Sequence, residues 1–75
     1  MTSSDEERLK HLEALAEQAY DEMYETRSPS GAYSDAKEYF YDAINLARQI
    51  GREDEAVRLE KRLDHIKSVF RSQMT

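Results

Sequence analysis

The chain has no cysteine and no tryptophan, and its 75 residues contain only one proline and two glycines. Without cysteine, neither a disulfide nor a thiolate-bound zinc ion can hold the fold together, so stability must come from packing or from association. This length allows a single domain, because folded domains rarely fall below about 50 residues. We therefore expect one small domain over residues 1–75, with helical packing as its source of stability.

Long apolar segments are also missing. Uninterrupted apolar runs reach two or three residues, whereas a membrane-spanning helix needs about 20. The N-terminal segment is acidic where a signal peptide is basic and then apolar, so we expect a cytoplasmic location and no membrane partner. The net charge of −5 argues against nucleic acid as the main partner, because neutralised phosphates supply most of that affinity.

Composition alone leaves order and disorder open. Leu, Ile, Val and Phe account for 13 of the 75 residues, which is low enough for a disordered chain of this charge. Ala, Glu, Lys, Leu and Arg account for 35, a mixture typical of long helices. The spacing of the apolar residues must therefore decide between the two.

Three segments place apolar residues at alternating steps of three and four, which favours order and predicts helices near 4–27, 32–50 and 53–72. A capping box between Ser4 and Glu7 should open the first helix. The segment 27–31 predicts a loop and Gly51 a C-cap. The predicted fold class is all-α, a three-helix antiparallel bundle with the second helix at its centre. The predicted core comprises Leu12, Ala16, Ala19, Met23, Ala36, Phe40, Ala43, Ala47, Leu59, Leu63, Ile66 and Phe70.

Two patterns of large and small residues resemble the helices of a tetratricopeptide repeat: Leu12-x-x-Leu15-Ala16-x-x-Ala19 and Ala36-x-x-x-Phe40-x-x-Ala43. The resemblance covers about residues 12–47 and implies a helical hairpin, closed here by a third helix, in a family that binds proteins. The sequence departs from the family in having about eight extra residues between Ala16 and Ala36, no terminal proline and no tryptophan. An unrelated three-helix bundle is the alternative.

No group of residues predicts a catalytic or metal site. His11 and His65 lie on separate predicted helices without the convergent ligands that a metal needs, and we expect both at the surface. The sequence offers no cysteine nucleophile, no serine elbow and no glycine-rich phosphate loop. We therefore predict no cofactor and no enzymatic activity. A paired-carboxylate site on the first helix is the one enzymatic alternative.

Charge is segregated along the chain. The first helix carries like charges one turn apart at Glu13, Glu17 and Asp21, which repel each other unless something compensates. The third helix has a basic arc that includes Arg58 and Arg62. Each arc could be a solvated surface, or each could meet a protein partner of opposite charge.

Five tyrosines are present, all on the first two helices or their connection. Most should complete the edge of the core. Tyr41 lies off the main apolar arc, and exposed tyrosine is common at protein interfaces. Tyr41 and Tyr24 are therefore a predicted contact patch.

These features predict a small, non-enzymatic protein-interaction module. Its predicted partner-binding residues are Glu13, Glu17, Asp21, Tyr24, Tyr41, Arg58 and Arg62. Self-association as a homodimer is the alternative, with the acidic arc of one copy facing the basic arc of the other across a twofold axis. A nucleic-acid-associated protein that uses the basic face of the third helix ranks below both.

Overall fold

The computed structural model describes residues 2–73, which form three α-helices: α1 over Thr2–Glu25, α2 over Pro29–Gln49 and α3 over Glu53–Gln73. The expected all-α, three-helix bundle is therefore confirmed. α2 packs against both other helices, as its broad apolar arc predicted. The bundle is elongated along the helices, with extents of 41 × 18 × 12 Å.

α1 and α3 run parallel to each other, and α2 is antiparallel to both. Three ion pairs join α1 to α3 or to Arg52 in the turn before it, and in each the arginine lies 45 or 46 positions further along the chain: Glu6–Arg52, Glu13–Arg58 and Glu17–Arg62. Such a nearly constant offset requires parallel helices, since an antiparallel pair would show offsets that shrink along the helix.

The start of α1 differs from the prediction. The helix already includes Thr2, so Ser4 lies inside the first turn and the predicted capping box between Ser4 and Glu7 is wrong. Asp5 supplies the negative charge that favours a helix N-terminus, so the helix does not depend on Ser4 as its cap. At the other end α1 stops at Glu25, two residues earlier than predicted.

α2 begins at Pro29 rather than at residue 32, so only residues 27 and 28 of the expected loop are non-helical, together with residue 26 before them. Proline suits the first turn of a helix, because its missing N–H has no intrahelical acceptor there and its φ is already near the helical value. Ser28 has a non-helical backbone, with φ −120° and ψ 71°, as is usual for the residue before proline. The backbone N–H of Ser28 donates to Oγ1 of Thr26 at 3.2 Å.

Gly51 ends α2 as predicted, with a left-handed φ of +78°. The N–H of Gly51 donates to the Arg48 carbonyl at 3.2 Å, and the N–H of Arg52 donates to the Ala47 carbonyl at 2.7 Å. This pair of bonds is the Schellman motif, which satisfies carbonyls that the helix end leaves without partners. The resulting turn is short enough for α3 to begin at Glu53.

The core is built largely from alanine. Seven of the fifteen buried apolar side chains among the described residues are alanines, and Phe40 is fully buried as well. Ten of the twelve predicted core residues are buried, whereas Leu12 and Phe70 pack against the core but stay partly exposed. Phe70 stacks on Tyr33, with ring centroids 3.9 Å apart. The buried set is Leu9, Ala16, Ala19, Met23, Ala32, Ala36, Phe40, Ala43, Ile44, Leu46, Ala47, Ala56, Leu59, Leu63 and Ile66.

Alanine at Gly51 should destabilise the fold by about 1 kcal/mol, because a Cβ disfavours the left-handed backbone. Gly31→Ala is the matched control, since Gly31 is helical and a Cβ there meets no atom within 4 Å. That variant should stabilise by about 0.4–1 kcal/mol. Urea unfolding followed by circular dichroism should show midpoints that move in opposite directions. A shift of both midpoints in the same direction would contradict the assigned C-cap.

Candidate interaction surfaces

Charged side chains connect α1 to α3. We call the three pairs Glu6–Arg52, Glu13–Arg58 and Glu17–Arg62 the ionic seam. Arg62 donates from Nε and Nη2 to the two carboxylate oxygens of Glu17, both at 2.8 Å. Arg58 binds both oxygens of Glu13 at 2.8 Å and also reaches Glu55 on its own helix. Two of the pairs therefore use the forked geometry that matches guanidinium to carboxylate.

The seam shifts the pKa values of three of its members, Glu13, Arg58 and Arg62. Hydrogen bonds from Arg58 lower the pKa of Glu13, although partial burial opposes this. Hydrogen bonds to Glu13 and Glu55 raise the pKa of Arg58, and the bond to Glu17 raises that of Arg62. The Glu17 and Arg62 side chains are 35% and 37% exposed, so water screens their attraction and each pair contributes modestly to stability.

An aromatic pair on α1 continues the seam. The Arg62 guanidinium lies 5.0 Å from the ring centroid of Tyr20, a cation–π contact. The Tyr20 ring meets Tyr24 edge-on, with centroids 5.4 Å apart, and their hydroxyl oxygens are 2.9 Å apart. This hydrogen bond raises the pKa of Tyr20. Tyr24 remains 51% exposed, and Asp21 is exposed beside this pair in sequence.

Tyr41 lies in a separate groove of about 210 Å³ between α2 and α3. Its hydroxyl binds Nζ of Lys67 at 2.9 Å, and the same ammonium lies 5.3 Å from the ring centroid. The hydrogen bond raises the pKa of Lys67. Tyr41 is 46% exposed, as its position off the apolar arc predicted.

The structure does not join Tyr24 and Tyr41 in one patch. Tyr24 contacts Tyr20, which faces Arg62, whereas Tyr41 faces Lys67. Arg62 and Lys67 are five residues apart on α3 and therefore point about 140° apart around it. The two tyrosines thus lie on opposite sides of α3.

The two charged arcs of the sequence meet within one chain. The acidic arc contributes Glu13 and Glu17, and the basic arc contributes Arg58 and Arg62. The sequence suggested that the acidic arc of one copy would face the basic arc of a second copy. In the structure, the two arcs face each other between α1 and α3 of the same molecule. Partner binding by these residues stays a prediction.

Sequence reasoning missed a further surface, on the side of the α1–α2 pair away from α3. We call it the outer face and define it by Leu12, Leu15, Ala19, Tyr39 and Leu46. Ala19 and Leu46 are its buried floor, while the other three are partly exposed. Two grooves of about 390 and 150 Å³ run along it, and each is lined by residues of α1 and α2.

The position of the outer face follows from helix geometry. At 100° per residue, Leu12, Leu15 and Ala19 lie on average about 150° around α1 from the acidic residues of the ionic seam. The signal for this surface is present in the sequence as steps of three and four from Leu12 to Ala19. It was missed because the core stripe of α1 lies directly beside it, so that Leu12 was assigned to the core.

Other site chemistry is not assembled in the described part of the chain. His11 and His65 are exposed, as predicted. Over residues 2–73, no three histidine or acidic side chains are grouped so that they could hold a metal ion. None of the helices in that range has the length and apolarity needed to cross a membrane.

Comparison with protein-family models, curated proteins and solved structures finds no match to this chain.

Glu17 and Arg62 should couple by about 0.2–1 kcal/mol in a double-mutant cycle of Glu17→Gln and Arg62→Gln measured by urea unfolding. The coupling should shrink in 1 M NaCl, where the screening length falls to about 3 Å. The control cycle combines Glu17→Gln with Arg48→Gln, because Arg48 binds Glu60 in the α2–α3 groove instead. These two effects should add, and a coupling of equal size in both cycles would refute the pairing.

The depressed pKa of Glu13 generates a pH prediction. Because the folded-state pKa lies below the ordinary value of 4.5, the stabilising contribution is complete above about pH 4.5 and is lost as the pH falls through the folded-state pKa. Arg58→Gln should raise the pKa of Glu13, read from its side-chain carboxyl ¹³C shift by NMR. Arg48→Gln should leave this titration unchanged. An unchanged Glu13 titration in Arg58→Gln would show that the Arg58 hydrogen bonds do not hold in solution.

Proposed function

We propose that this chain is a small, non-enzymatic protein-interaction module that binds its partner through the outer face. One observation carries the proposal: α1 and α2 share a second apolar surface that α3 does not cover, with Leu12, Leu15 and Tyr39 partly exposed along it. A helix with one neighbouring layer needs one apolar stripe. A second apolar stripe, directly beside the core stripe and away from α3, provides contact area for another molecule.

The form of the grooves supports binding over catalysis. They are open to solvent and are lined by a mixture of charged and aliphatic side chains. Substrate pockets usually enclose most of a small ligand in a mainly apolar cavity. Open grooves between helices suit a protein surface better.

We also propose that α1 and α2 form a tetratricopeptide-like hairpin. The small residues of that pattern, Ala16, Ala36 and Ala43, are completely buried beside the fully buried Phe40. This packing supports the proposal, because small residues allow two helix backbones to approach closely. A family whose role is protein binding agrees with the proposed module.

Self-association is the second candidate. Arg8 lies at one end of the outer face and Glu22 at the other, so an antiparallel second copy would bring opposite charges together at both ends. Nucleic-acid binding has weaker support, because Arg58 and Arg62 already bind carboxylates of their own chain.

A charge on the outer face should abolish partner binding. Leu15→Glu should lose the proteins that the unmodified chain captures from lysate, because the glutamate would be desolvated in the interface. Val57→Glu is the matched control, since Val57 is a 44% exposed apolar residue of α3 and its replacement should keep them. Asp21→Lys, measured in the same assay, tests whether the predicted partner-binding residue Asp21 contributes to capture.

The readouts are mass spectrometry of the captured proteins and sedimentation equilibrium of each variant at micromolar concentration. Circular dichroism should confirm that the variants fold. If the unmodified chain is a dimer and Leu15→Glu is a monomer, the partner at the outer face is a second copy of this chain and not another protein. Identical capture by Leu15→Glu and Val57→Glu, with both monomeric, would disprove binding at the outer face.

A further inference from the structure

The rim of the outer face is acidic. Glu22, Asp35 and Asp42 line its grooves, and among the described residues Arg8 is the one cation that lines them with these three. Over residues 2–73, no ion pair neutralises any of these three carboxylates. Arg52, Arg58 and Arg62 instead bind the carboxylates of the ionic seam. Uncompensated negative charge therefore lies along the same surface as the exposed leucines.

We propose that the outer face binds an amphipathic helix of another protein, with apolar residues at steps of three and four and Lys or Arg on its flanks. The inference rests on the proposed interaction function and names the class of its partner. Leu12 and Leu15 from α1 and Tyr39 from α2 provide the apolar contacts of a two-helix groove. Helices that dock in such grooves use anchors at i, i+3 or i+4, and i+7.

The length of the groove sets the length of the partner. From Arg8 to Glu22 the groove follows 14 residues of α1, or about 21 Å at 1.5 Å per residue. A docked helix of about four turns would span it. Its basic flanks would then lie over Glu22, Asp35 and Asp42, where opposite charge speeds association and selects against acidic helices.

A second copy fits this surface less well. Each copy carries a net charge of −5, and each would bring the same three rim carboxylates. Leu15 is midway between Arg8 and Glu22 on α1, and Asp42 is midway between Asp35 and Gln49 on α2. A twofold axis across the helices would pass near these midpoints and place Asp42 close to its own copy, which like charges disfavour.

The test uses two fluorescent 16-residue peptides with the same leucine stripe, one with lysine flanks and one with glutamate flanks. Fluorescence anisotropy in 50 mM NaCl should show at least tenfold tighter binding of the lysine peptide. That binding should weaken in 500 mM NaCl because salt screens the charges. Circular dichroism should show that the lysine peptide gains helix when it binds. Equal binding of the two peptides, or binding without added helix, would overturn the inference.

Variants locate the binding. Asp35→Asn/Asp42→Asn should weaken the lysine peptide at least fivefold, and Leu15→Glu should abolish its binding. Glu53→Gln/Asp64→Asn is the matched control, because it removes the same two charges from exposed sites on α3 and should change affinity less than twofold. Equal weakening by the two double variants would show attraction to net charge only, and would overturn the assigned surface.

The outcome separates this inference from the proposed function. If the lysine peptide fails to bind but Leu15→Glu still loses the proteins captured from lysate, the module stands and the basic helix is the wrong partner class. If Leu15→Glu changes neither the binding of the lysine peptide nor the capture of proteins from lysate, both the proposed function and this inference fail. If sedimentation equilibrium shows a dimer that Leu15→Glu separates, a second copy occupies the face and the inference is wrong.

Discussion

The close approach of α1 and α2 at alanine positions is the contact on which the rest of the structure depends. Ala16, Ala36, Ala43 and Ala47 have no exposed surface, so the two helices meet with little side-chain volume between them. Phe40 is fully buried in the same core cluster as Ala16, Ala43 and Ala47. α2 then has its opposite side available for the larger side chains of α3, including Leu59 and Ile66. The alanines thus place α2 at the centre of the bundle, with α1 packed on one side of it and α3 on the other.

The ionic seam follows from this arrangement. α1 and α3 both pack on α2, and the long side chains of Glu13, Glu17, Arg58 and Arg62 bridge the space between them. Pairs that are this exposed contribute little to stability. Their larger effect is on register, because each forked pair needs matching positions on α1 and α3, and a shift of one turn would separate both pairs.

Local sequence rules predicted the helices because the 3.6-residue period is repeated over about 20 residues in each. Gly51 was predicted correctly, since one residue type favours its backbone conformation. The start of α1 was predicted wrongly because Ser4 is a good cap but equally acceptable inside a first turn. Pro29 was read as part of a loop, although proline also suits a first helical turn. Helix ends are thus decided by small local preferences that compete.

The surfaces were harder to predict than the helices. Segregated charge was visible in the sequence, but the pairing of Glu13 with Arg58 depends on an offset of 45 residues that two turns and the tilt of three helices determine together. Because Arg58 and Arg62 bind carboxylates of the ionic seam, these two arginines do not neutralise the acidic residues elsewhere on the bundle. Glu22, Asp35 and Asp42 then lie beside Leu12, Leu15 and Tyr39, and none of the three forms an ion pair within the described chain. The ionic seam therefore stabilises the register of α3 and, by engaging these arginines, leaves the opposite side of the bundle negative.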